Sequence, residues 1–133
     1  MLEYPQVALD FMNRDHTDFV ALRKQLLTLL STQAHDARVD NLLDELLKHT
    51  QHHFAEEERL MQEARFPPYP MHKGEHDSVL AEIASKSDSW KKTRDAASLR
   101  DWLHHRMGDW FVGHVGSMDF VTARFIASQL QTH

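Results

Sequence analysis

Apolar residues recur at intervals of three and four along four stretches of the chain, and no stretch alternates polar and apolar long enough to make a strand. The spacing predicts a first helix over about residues 6–31, with Ala8, Phe11, Met12, Phe19, Val20, Leu26, Leu27 and Leu30 on its apolar side. A second is predicted over about 37–64 behind Asp36 as N-cap, with Val39, Leu42, Leu43, Leu46, Leu47, Leu60 and Met61 as its stripe. It has to stop before Pro67-Pro68, because proline cannot continue a helix and restrains the residue before it. A third is predicted over about 70–86 with Met71, Val79, Leu80 and Ile83. The fourth, over about 95–130, carries Leu99, Trp102, Leu103, Met107, Trp110, Phe111, Phe120, Val121 and Phe125. Short polar connections at 31–35 and 87–89 make sequence neighbours antiparallel. The expected fold is therefore all-α, a single domain over 1–133 built as an up-down-up-down antiparallel four-helix bundle.

Several polar residues stand where this periodicity places the core. His16 lies midway between Met12 and Val20, and His53 midway between Leu46 and Leu60, with Glu57 between it and Met61. His72 and His76 precede Val79, Leu80 and Ile83; His114 follows Trp110 by one turn, and Asp119 precedes Phe120. A carboxylate buried alone normally protonates, so two carboxylates among five imidazoles make sense if cations sit between them. Composition sharpens the point: the 133 residues include 11 histidines and no cysteine. That excludes disulfides, thiolate catalysis and iron–sulfur sites, and leaves nitrogen-and-oxygen metal sites or an excess of surface histidine. Single motifs are weak, since H-x3-H occurs twice (His49/His53, His72/His76) and H-x3-E twice (His52/Glu56, His53/Glu57). The His53/Glu57 register shares a face with Leu46, Leu60 and Met61, whereas His52 and Glu56 lie about 100° away. A net charge of −5 without a Lys/Arg stripe argues against nucleic acid. No apolar run is long enough for a membrane span, and the N-terminus lacks the pattern of a signal peptide, so a cytoplasmic protein is expected.

In order along the chain, NRDHTDF, HHFAEEERLM, FPPYPMHKGEH and WFVGHVGSMDF resemble the four signature helices of the hemerythrin family, over essentially the whole chain. The resemblance implies a non-heme centre of two Fe ions joined by an oxo or hydroxo bridge. Its ligands would be His16, His53 with Glu57, His72 with His76, and His114 with Asp119. It further implies that His72, His76 and His114 hold one iron, and His16 and His53 the other. With both carboxylates bridging, counting leaves the second iron one ligand short and open to a small molecule. Zinc, copper or manganese would suit these donors by affinity alone; the family points to iron. Phe19, Trp110 and Phe111 are the expected O2 pocket, or plain core, and no spare acid or base is evident beside it. In the family a leucine often stands where Phe111 is. The implied function is reversible O2 binding for storage, delivery or sensing, not enzymatic, with O2 the expected partner. The alternatives are a redox enzyme acting on peroxide or nitric oxide, iron-centre repair, or a metal buffer.

Residues five apart fall about 140° apart on an ideal helix, so His114 and Asp119 reach one metal pair only if the helix widens. Gly113 and Gly116 suggest a π-bulge there, or else close helix packing. Among the remaining histidines, His49 could touch a ligand or line an access route. His52, His104 and His105 are expected in solvent, and His35 and His133 in a loop and at the terminus. Glu56, Glu58 and the acidic residues of the first helix are expected on a solvated face.

Overall fold

The computed structural model describes residues 2–32 and 36–131, so the expectations for His35 and His133 lie outside the described residues. Helix α1 spans Asp10–Leu30, α2 Asp36–Glu63 and α3 Tyr69–Thr93. The fourth rod runs without a break through α4 (Ala96–Asp101), a π-helical turn π1 (Trp102–Met107), α5 (Gly108–His114), a second such turn π2 (Val115–Asp119) and α6 (Phe120–Gln131). These four rods make the antiparallel bundle, with α1 against α2, α2 against α3, and the fourth rod closing the ring onto α1 and α3. Among the described residues no strand occurs. Met12, Leu26, Leu43, Leu46, Ile83, Leu103 and Met107 are sealed from solvent along its axis, each worth about 1.5–3 kcal/mol of apolar burial.

The boundaries differ from expectation for identifiable reasons. α1 begins at Asp10 rather than residue 6, because Asn13 clamps the preceding chain: its Oδ1 accepts from the Val7 N–H at 2.8 Å and its Nδ2 donates to the Val7 carbonyl at 3.0 Å. Residues before it form a strap whose Leu2, Tyr4 and Val7 pack on the core, while Ala8 points to solvent. Asp36 is the first residue of α2 rather than a cap outside it. α3 does not stop at residue 86 but runs through Ser87-Asp88-Ser89, since Trp90 is buried and its Nε1 donates to Asp40 Oδ1 at 2.8 Å. Tertiary burial of one indole outweighs the weak helix preference of three small polar residues. The helix ends with Arg94 in the left-handed region (φ 53), from where its guanidinium reaches both Asp40 oxygens at 2.6 and 3.1 Å. Asp95 then caps α4, accepting from the Ser98 N–H at 3.0 Å.

Phe120 and Val121 are 38% and 54% exposed instead of buried. The turn π2 carries one residue more than an α-turn, which rotates everything beyond it by about 100°. Thr122, Ala123 and Ile126 consequently face inward. Met71, also expected inside, stands beside the inward-facing His72 and is exposed.

Candidate metal centre

α3 carries His72 and His76 one turn apart, both fully buried, and the fourth rod brings His114 and Asp119 against them. Widening at π2 is what aligns the last two: His114 Nε2 lies 2.9 Å from Asp119 Oδ1. The flanking glycines are not what permits it. A methyl group at Gly113 or Gly116 would meet nothing within 4 Å, which also disposes of close helix packing there, and π1 forms over WLHHRM without any glycine.

Each imidazole of this cluster is held from behind. His72 Nδ1 is 2.8 Å from Thr122 Oγ1, His76 Nδ1 2.9 Å from Glu58 Oε2, and His114 Nδ1 2.6 Å from Glu75 Oε1. Glu75 Oε1 also accepts from Trp110 Nε1 at 3.1 Å. With the ring proton engaged at Nδ1, the Nε2 lone pair of each histidine turns inward. There the donor atoms converge. His72 and His114 Nε2 are 3.3 Å apart, and Asp119 Oδ1 is 3.2 and 2.9 Å from them. His76 Nε2 lies 3.4 Å from Glu57 Oε1. Asp119 Oδ1, Glu57 Oε1 and His76 Nε2 are nevertheless buried without a hydrogen bond, their distances being short but their directions wrong for one. Atoms bound to one first-row ion at about 2.0–2.2 Å sit roughly 3 Å from each other. The donor set therefore fits a cation.

Electrostatics agree. Burial, reinforced by Asp119 and Asp15, raises the Glu57 carboxyl well above its ordinary range. Asp119 is also pushed up by burial, but His114, His16 and His72 outweigh that and hold it well below. Burial, with His72 and His114 adding, pushes His76 down to about 2, whereas His114 is raised on balance because Asp119 and Glu75 overcome its burial. Without a cation, then, Glu57 is the carboxyl that holds a proton, while Asp119 stays ionised among its histidines.

On the other side, His16 Nε2 lies 2.8 Å from Asp119 Oδ2. His53 does not join the cluster. Its Nδ1 is 2.6 Å from Asp15 Oδ1 and its Nε2 is 3.1 Å from His49 Nδ1, so its ring is engaged at the edge of the cavity and not with the cluster. Burial first, then His49 and His52, lower it to about 4. Between these groups is a cavity with about 30 Å³ for the centre of a water-sized guest, lined by Phe19, Trp110 and Phe111 as expected, and also by Phe54 and Thr50. Phe19 stacks on Phe111 with centroids 4.7 Å apart, so the same rings are both wall and core. Tyr4 of the strap meets His16 and Phe111 edge-on.

Two expectations about acids fail. Asp15 is buried at the cavity rather than solvated: burial, then Asp18, with Asp119 and Glu56 adding and Arg14 opposing, pushes it to about 7, and its Oδ2 has no partner. An acid does stand beside the pocket. Glu58, half-buried, holds His76 instead of facing water. Glu75 and Thr122 had no sequence signal at all, because which carboxylate meets an imidazole depends on how neighbouring rods are rotated.

Residues 7–126 match the family described as Hemerythrin HHE cation binding domain. A bacteriohemerythrin of Aquifex aeolicus (strain VF5) is 36% identical over 115 residues, 86% of this chain and 86% of that protein. The chain belongs to the hemerythrin family. A myohemerythrin of Riftia pachyptila is 31% identical over 115 residues, covering 86% of this chain and 82% of that one. The crystal structure of wild-type hemerythrin shares the fold with a TM-score of 0.79 at 21% identity over 91% of each chain. In this hemerythrin, His72, His76, His114 and Asp119 form a group that can hold a metal ion, with His16 and Glu57 in contact with it. No helix among the described residues is long and apolar enough to cross a membrane.

Proposed function

We propose that this chain, as a single domain in the cytoplasm, holds two iron ions and binds O2 reversibly, as its membership among the oxygen-binding hemerythrins suggests. The observation that carries the reading is the convergence of His72 Nε2, His114 Nε2 and Asp119 Oδ1 within 3.3 Å of one another, with Asp119 Oδ1 left without a hydrogen bond, beside a small cavity walled by Phe19, Trp110 and Phe111. His72, His76 and His114 would hold one iron and His16 and His53 the other, with Glu57 and Asp119 within reach of both. His53 would complete the set by turning its Nε2 inward from His49. Iron in this setting supplies the electrons that O2 binding draws on and one open coordination position. Phe19, Trp110 and Phe111 exclude water from that position, which slows proton delivery. Glu58, Glu75 and Thr122 fix three of the rings. Five neutral imidazoles, in place of the glutamates typical of ferritin-like di-iron proteins, favour a binding protein over an oxidising enzyme.

The test is metal content with visible absorption on protein reduced without air, exposed to O2 and then degassed. Two irons per chain and a colour that comes with O2 and goes on degassing are expected. Absence of iron after loading would overturn the choice of metal. Irreversible bleaching would favour a second reading, redox turnover of peroxide or nitric oxide, for which Asp15 is placed as an acid at the cavity.

A further inference from the structure

His53 is the one expected ligand turned away from the cluster, and what it meets instead is itself a set of metal donors. Asp18, His49 and His53 each offer an atom, all within 4.8 Å of one another. His53 Nδ1 lies 2.6 Å from Asp15 Oδ1, and on its other side His53 Nε2 faces His49 Nδ1 at 3.1 Å, one proton being shared between the two rings. That separation is the edge expected between two nitrogens on one first-row ion with bonds of about 2.0–2.1 Å. His49 Nε2 is buried with no partner, so the shared proton can move there when a cation takes its place at Nδ1. Asp18 is exposed and supplies the anionic oxygen. The place of the triad is as telling as its chemistry. His49 lines the inner cavity and also a surface groove with Glu45 and His52, so it stands between solvent and the cluster.

We propose that Asp18, His49 and His53 form an outer site that captures a divalent first-row metal ion and passes it inward, a reading that rests on the inner residues being a metal centre. His53 is the ligand common to both positions: it binds the ion at the outer site and accompanies it when its ring turns toward Glu57 and Asp119. The surface ion is bound by three protein atoms and water, weakly enough to leave.

The experiment is stopped-flow uptake of Co2+ by the metal-free full chain without air, read by visible absorption, with metal content measured at the end. In the native chain the filling rate should saturate as Co2+ is raised, the mark of a captured ion preceding transfer. Asp18→Asn and His49→Ala should remove the saturation and slow filling roughly tenfold, the loss expected when a supporting group of a metal site is deleted. Both should still reach two ions per chain. His52→Ala, exposed on the same groove, should load at the native rate, and circular dichroism checks that all variants are folded. Equal rates in all four proteins, or equal slowing in His52→Ala, would overturn the outer site. Fewer than two ions in the native chain would count against the inner centre instead, while the saturable phase would still report the outer site.

Discussion

At the residue scale the site depends on side chains one step removed from the metal donors. Glu75 Oε1 serves two donors at once, His114 Nδ1 at 2.6 Å and Trp110 Nε1 at 3.1 Å, so it sets both a metal-facing ring and a wall of the cavity. Glu75→Leu should weaken metal binding by about 10–100-fold, while Glu75→Gln, which keeps an oxygen acceptor, should lose less; competition against a chelator reads both. If the two variants bind alike, Glu75 is not orienting His114. Asp15 is the other such residue. Its carboxyl, pushed to about 7, has an unpartnered buried Oδ2 beside the cavity and would be the proton source for a small molecule held there. Asp15→Asn still offers an oxygen to His53 Nδ1 but no acidic proton. We expect the oxygenated protein of this variant to autoxidise several-fold more slowly, followed by the decay of its visible band in air, and an unchanged rate would remove Asp15 from the chemistry.

At the scale of elements, the fourth rod decides the most. Its two π-helical turns do different jobs: π2 brings His114 and Asp119 to one point, and π1 frees backbone carbonyls that α1 answers. Arg23, buried, donates from Nε to the Leu103 carbonyl at 2.8 Å. Gly108 is where this needs space, since a methyl there would come within 3.2 Å of Arg23 Nη2. Gly113 faces open space in a helical conformation. The two glycines should therefore respond oppositely to alanine. Gly113→Ala should gain about 0.5–1 kcal/mol from reduced chain entropy, and Gly108→Ala should lose stability by displacing a hydrogen-bonded guanidinium. Thermal unfolding separates them; a Gly113→Ala chain that loses metal would show that the glycine is needed for π2 after all. The expectation of widening between His114 and Asp119 was legible from their spacing alone. The widening over 102–107 was not, because no pair of functional residues there demanded a common face.

At the scale of the whole molecule, the cost of the site shows in its pH dependence. In the metal-free protein His53 and His76 titrate at about 4 and 2 against 6.5 unfolded, so the unfolded chain binds more protons and stability falls as pH drops below 6.5. Asp15, raised to about 7, and Glu57, raised from 4.5, have the opposite sign: the folded chain holds their protons longer, and stability rises on acidification until the unfolded carboxyls also protonate. Glu58, raised by burial, acts in the same direction, so three carboxyls oppose two imidazoles. The metal-free unfolding temperature should thus change little between about pH 6.5 and 4, then fall as Asp119 and Asp40, both held low by cationic or histidine partners, are protonated. The metal-loaded protein has no such balance, since its imidazoles and carboxylates must all stay unprotonated, and its advantage should vanish across the same interval. Calorimetry of both forms checks this; a metal-free protein that melts steadily earlier from pH 6.5 downward would mean that the buried carboxylates are not protonated as described. What the sequence alone determined was four rods, their order, and six buried polar positions inside them, with His53 only half-buried, because periodicity of three and four residues is a local property and a polar residue within it is conspicuous. Tertiary structure alone decided which atoms meet: Glu58, Glu75 and Thr122 behind the imidazoles, Asp15 at the cavity, and His53 paired outward with His49. Those contacts depend on the rotation of each rod about its axis, and that rotation is set by packing of the whole bundle and by one extra residue at π2.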